Sequence, residues 1–202
     1  MSRPSPNHPR LLAETLRAWR FLTAVTLLLA AGIARATGPY STTADGDDPR
    51  LMLKGYDPVA YFTAGKPLLG NASSRTDFDG VTYRFVNEEN RFLFMKNPLK
   101  YVPMFGGHCA NSMVYALPWP GEPGAWKILD GRLYVFGGEA QRRYFVMDEE
   151  ANVRLAQRYW KDEVEGSIPL VQRARRLAVR VPHYRTDKEL EAEWQAKNKP
   201  GA

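Results

Sequence analysis

One cysteine, Cys109, and three histidines are all the thiol and imidazole groups that a chain of 202 residues offers. A single thiol excludes an internal disulfide and excludes Cys-x-x-Cys redox chemistry. No HExxH pair, phosphate-binding P-loop or dinucleotide fingerprint occurs, so the enzyme classes that carry those signatures are set aside. Nor is there a repeat at a fixed period, which excludes a solenoid. The uncharged, mostly apolar run Phe21 to Ala34 falls short of the roughly 20 apolar residues that span a bilayer.

What is present begins with that same run. Arg3, Arg10, Arg17 and Arg20 precede it, and Ala34-Arg35-Ala36 follows with small residues at the two positions a signal peptidase reads. A basic segment, a short apolar segment and an A-x-A site predict a signal peptide over 1–36. No Arg-Arg pair precedes Arg20, which argues against twin-arginine export. The expected location is therefore exported, periplasmic or secreted, ahead of an uncleaved N-terminal anchor. Those residues hold five arginines and one acid, leaving 23 basic and 21 acidic residues, so the excess of +6 falls to +2. So small an excess argues against a nucleic-acid partner.

Residues 37–50 are polar and rich in Gly, Pro, Ser and Thr, and read as a linker. From residue 51 the pattern turns globular. Gly55-Tyr56-Asp57-Pro58 reads as a turn into a short apolar strand through Phe62. Asp79-Gly80 and Asp130-Gly131 sit between alternating segments, and Asp-Gly readily takes the positive φ angles of a type I′ hairpin. Asn87-Glu88-Glu89 is a helix start, closed by Asn97-Pro98. Glu139 to Met147 and Glu149 to Val164 read as two more helices. The expected fold is α+β: a small antiparallel sheet built from two Asp-Gly hairpins, packed with several helices, in one domain over 51–165. Tyr56, Tyr61, Tyr83, Tyr101, Trp126 and Tyr134 are expected to build its core.

A helical extension over 166–202 completes the chain. Ser167 is placed to cap a helix whose Leu170, Val171, Ala174, Leu177, Ala178 and Val181 fall at helical spacing, while Arg173, Arg175, Arg176 and Arg180 take the other face. Such a helix either packs on the domain with its arginines in water, or docks on an anionic membrane surface or an acidic protein partner. Thr186 to Glu189 has capping-box spacing for a last helix.

The segment Met104-Phe105-Gly106-Gly107-His108-Cys109, continuing to Met113, is where chemistry concentrates. Thiolate, imidazole and thioether together form a soft ligand set suited to Cu(I). Cys109 is thus the first candidate ligand, with His108, Met113 and Met104 behind it, and copper the candidate cofactor. Each has a plainer reading: Cys109 and the methionines as core residues, and His108 as a histidine pointing away from Cys109 on an extended backbone. A Cys109–His108 nucleophile and base would need an orienting acid, for which Asp57 and Asp130 are the guesses. No catalytic residue is assigned. His183 is expected at the surface.

Gly55-Tyr-Asp-Pro-Val-Ala-Tyr-Phe62, Phe78-Asp-Gly-Val-Thr-Tyr-Arg-Phe85, Asn97-Pro98 with Tyr101, Gly106-Gly-His-Cys-Ala110 and Trp126 to Tyr134 together resemble the exported YHS-domain proteins over roughly residues 51–164. The resemblance implies a compact α+β domain outside the cytoplasm with a role in metal handling. The metal-linked members of the wider group carry cysteines where this chain has Ala60, Val86 and Asn90, so their site does not transfer. The exported branch keeps a cysteine at the position of Cys109, preceded commonly by Tyr where this chain has His108. The expected function is a binding module that handles a soft metal ion, more plausibly than an enzyme. The alternatives are a thiol-redox protein using Cys109 and a partner-binding domain docking through its basic tail.

Overall fold

Asp79-Gly80 and Asp130-Gly131 both adopt the left-handed pair of angles that a type I′ turn demands, with φ of 52° and 68° at the first and 48° and 70° at the second. In the computed structural model, which describes residues 39–199, each turn closes a hairpin. The first joins β3 (Asn71–Phe78) to β4 (Val81–Phe85), and the second joins β5 (Glu122–Leu129) to β6 (Arg132–Phe136). Phe78 pairs with Val81 and Leu129 with Arg132, so the register is set at the turns. The fold is α+β. The expected signal peptide lies outside the described residues.

Two features of the sheet differ from expectation. The hairpins occupy separate sheets, and the larger sheet is mixed rather than antiparallel. Its order is β1-β2-β4-β3, where β1 (Thr42–Asp45) and β2 (Asp48–Met52) form a further hairpin from residues expected to be a linker. β2 pairs with β4 in parallel at Leu51 and Thr82. The reason lies far away in sequence. Asp48 is buried, and its carboxylate takes Arg84 Nε at 2.7 Å and Arg75 Nη1 at 2.5 Å. These charge-assisted bonds tie β2 to β4 and β3 and satisfy a carboxylate that would otherwise be costly to bury.

The stretch after Gly55 is likewise not a strand. Ala60–Thr63 forms a short helix, α1, because Asp57 Oδ1 accepts the Val59 and Ala60 amides at 2.8 and 3.3 Å. Asp57 thus caps that turn, with Pro58 beside it where a missing N–H costs nothing. The other oxygen, Oδ2, accepts from the Val86 amide at 2.9 Å and Asn90 Nδ2 at 2.7 Å. Asn90 lies on α2 (Glu88–Lys96), capped by Asn87 as expected, and α3 (Pro98–Tyr101) follows. The Asp57 guess is therefore corrected: this carboxylate is a buried cross-link among three elements. Asp130, the other guess, is a hairpin-turn residue.

Beneath the mixed sheet, Phe94 packs against Tyr83 and Phe85 with ring centroids 4.7 and 5.2 Å apart. Val59, Tyr61 and Val81 belong to that cluster, as do Leu133 and Val135 of β6, each buried. Burial of a side chain of this size contributes about 1.5–3 kcal/mol.

A second cluster gathers α4 (Ala110–Met113), α5 (Glu139–Val146) and α6 (Glu149–Tyr159), which continues as a π turn over Trp160–Val164. Val181 and Leu190 from the C-terminal extension are buried in this same cluster as Cys109 and Met113. The extension, α7 (Pro169–Ala178) and α8 (Asp187–Lys197), is therefore anchored in the core through Val181, between the two helices, and Leu190 on α8. The Thr186–Glu189 capping box forms in full. Ser167 does not cap α7; its hydroxyl donates to the Val164 carbonyl, and Ile168 takes the cap position. Among the described residues no helix is long and apolar enough to cross a membrane.

Candidate functional site

Two glycines steer the chain into the site. Phe105, Gly106 and Gly107 have φ of 56°, 57° and 81°, a left-handed run that reverses the backbone. Space forbids a side chain as well: a Cβ on Gly106 would stand 2.4 Å from the Pro39 carbonyl oxygen, and one on Gly107 would stand 2.8 Å from Met52 Sδ.

After the reversal the chain is extended through His108, which bridges to Pro120, and the Cys109 amide donates to the Trp119 carbonyl at 2.8 Å. Cys109 then opens α4, its own carbonyl accepting from the Met113 amide at 3.1 Å and from Ser112 Oγ at 2.9 Å.

Extended backbone sends adjacent side chains to opposite sides. Cys109 looks into a cavity of about 480 Å³, bounded also by Ser112, Trp119, Gly137 and Gln141. Tyr184, Arg185 and Asp187 of the extension form the remaining wall. His108 is absent from that lining and faces the Trp160 ring, 6.4 Å between centroids. Met113 is fully buried in the core, and Met104 is packed partly buried against it. Of the four candidate ligands, only Cys109 reaches the cavity. Among the described residues no three His, Cys, Asp or Glu side chains converge as a metal cage.

The protonation chemistry follows from burial. The Cys109 thiol is pushed up from its ordinary pKa by desolvation, an effect partly offset by the Ser112, Gly137 and Asn111 amides that face the sulfur. Burial also drives the His108 pKa down to about 4, so the ring is neutral near pH 7. Its Nδ1 lies 3.3 Å from the Trp119 carbonyl oxygen. Nε2 is buried without a partner among the described residues. With His108 and Cys109 on opposite sides, the sequence-level pairing of base and nucleophile has no geometry behind it.

At the cavity mouth, charge is balanced. Arg185 pairs with Glu193, and Gln141 Nε2 reaches Asp187 Oδ2 at 3.4 Å. These tail residues carried no motif of their own; the capping box at Thr186 was the one mark that the chain turns there. His183 also departs from expectation. It is not a free surface residue, since its Nε2 lies 3.0 Å from the Val114 carbonyl and its ring stacks on Tyr159.

The four arginines of the extension separate in the same way. Arg176 is held by Glu163, Arg173 lies 4.8 Å above the Trp119 ring, and Arg180 lies 4.4 Å above Tyr184. The Arg175 side chain, 3.9 Å from Glu163, is 62% exposed.

Comparison with protein-family models, with curated proteins and with solved structures returned no match for this chain.

Proposed function

We propose that the chain is an exported, YHS-like binding module that takes a soft metal ion, Cu(I) foremost, as a small complex in the cavity floored by Cys109. The observation that carries the reading is the cavity lining: one sulfur, set among polar groups such as Asn111, Ser112 and Gln141 and the apolar surfaces of Leu117, Trp119 and Pro120. Cu(I) prefers soft donors, so a bare ion finds a single protein bond there. A volume of about 480 Å³ leaves room for a ligand that the ion brings with it. Binding displaces the thiol proton, so affinity rises with pH.

The YHS resemblance draws support from an independent direction. Positions 60, 86 and 90, where metal-linked members carry cysteines, converge in space: Ala60 N, Val86 N and Asn90 Nδ2 all donate to the Asp57 carboxylate. An anionic side chain occupies the middle of what is elsewhere a ligand cluster. The thiol-redox alternative draws on the same thiolate, so burial weighs on both readings alike.

The test is a Cu(I) titration against a chromophoric chelator, with and without a small thioether co-ligand. Binding by the wild type with the co-ligand, lost in Cys109→Ser and kept in His108→Phe and Met113→Leu, is the expected result. Failure to compete under both conditions overturns the metal reading. Loss in His108→Phe, with the fold intact by circular dichroism, overturns the single-sulfur arrangement.

A further inference from the structure

Helix α7 is docked the wrong way round for its sequence. Its buried side is polar: Gln172 Nε2 donates to the Ala116 carbonyl at 3.2 Å and to Glu163 at 3.0 Å, and Arg176 Nε adds a 2.9 Å bond to Glu163. The opposite side carries Leu170, Val171, Ala174, Leu177 and Ala178, all exposed, the three larger ones at 67%, 60% and 53%. At 3.6 residues per turn these five positions form one continuous stripe about 120° wide. A helix that turns such a stripe to water marks an interaction surface.

What borders the stripe identifies what covers it. Arg173 flanks one edge and Arg175 the other, and no acidic residue occurs between Ser167 and Arg185. Self-association through this face would bring arginines onto arginines with no acid to answer them. Beside the helix, Trp119 is 42% exposed under the Arg173 guanidinium. An apolar stripe edged by cations, with an amphipathic aromatic at its border, is complementary to the headgroup boundary of an anionic bilayer.

We propose that α7 is a membrane-surface anchor, lying in the plane of an anionic lipid leaflet with its leucines among the acyl chains and its arginines at the phosphates. The domain is held to α7 from the other side by Gln172 and Arg176, so docking requires no unfolding. Trp119 also lines the Cys109 cavity, which sets that cavity beside the lipid surface. The inference stands without any particular occupant of the cavity.

The experiment uses the full chain carrying Cys109→Ser and Ala174→Cys, so that the one thiol sits on α7, labelled with a polarity-sensitive bimane. The expected result is a blue shift on vesicles of mixed phosphatidylcholine and phosphatidylglycerol, absent on phosphatidylcholine alone and reversed by about 0.5 M NaCl. Leu170→Glu with Leu177→Glu should weaken partitioning by about tenfold or more, and Arg173→Gln with Arg175→Gln by about fivefold for each charge lost. All four side chains are at least partly exposed, so near-native circular dichroism is expected in both variants. An equal shift on neutral vesicles overturns the proposal. So does a concentration-dependent shift without lipid, which indicates a second copy, or a shift on polyglutamate alone, which indicates an acidic protein. No shift on anionic vesicles overturns it outright.

Discussion

Asn90 and Asp57 are joined by a 2.7 Å hydrogen bond from the amide nitrogen to Oδ2, the oxygen that also takes the Val86 amide. Four donors therefore meet one buried carboxylate, with no cation among them. Removing it strands all four. Asp57→Ala is expected to cost about 3–5 kcal/mol in urea unfolding, and Asp57→Asn much of that, because its NH2 group would oppose N–H donors. A loss below about 1 kcal/mol for Asp57→Ala would contradict the cross-link.

His108 should make stability pH-dependent. The unfolded ring titrates near 6.5 and the buried one near 4, so in that window the unfolded chain binds the extra proton. Stability is then constant above about pH 6.5 and falls as pH drops toward 4, by on the order of 3 kcal/mol for this group. Denaturation midpoints measured from pH 7 to 4 should show a shallower decline in His108→Phe than in the wild type.

The Gly106 backbone has no space for a methyl group. Gly106→Ala combines a positive φ with a Cβ 2.4 Å from the Pro39 carbonyl oxygen, and a cost of at least about 2 kcal/mol is expected. Thermal unfolding of this variant beside Gly124→Ala, where nothing lies within 4 Å, separates the close approach from any general effect of alanine.

Alkylation of Cys109 by iodoacetamide should run at least about a hundredfold slower in the native protein than in urea, since the thiol is buried and its pKa raised. Leu190 is buried in the same cluster. Leu190→Ala should cost about 2–5 kcal/mol and speed the reaction. Leu133→Ala, in the other cluster, should speed it less at matched stability.

The parts of this fold legible in the sequence are those decided by neighbours along the chain. Asp79-Gly80 and Asp130-Gly131 impose their turns whatever surrounds them, and Asn87 and Thr186 cap helices through residues three positions away. Missed elements depend on distant partners. β1 and β2 look like a polar linker because the charge that makes Asp48 a core residue is contributed by Arg84, on another strand. Asp57-Pro58 was a readable cap, obscured by the apolar run behind it. For the candidate site, Cys109 was visible by type and by its glycines, whereas Tyr184, Arg185 and Asp187 join it only through packing. Amphipathicity located α7 correctly but left its facing open, because the partners that hold its polar side, Glu163 and the Ala116 carbonyl, are contributed by other segments.

That far wall has a kinetic meaning. A nascent chain that has emerged only as far as residue 165 carries Cys109 and its glycine turn, yet Arg185 and Asp187 have still to arrive. The receptacle is finished by residues made well after its cysteine. Under the proposed binding role, loading would wait until the segment through Asp187 has folded back onto the cysteine turn.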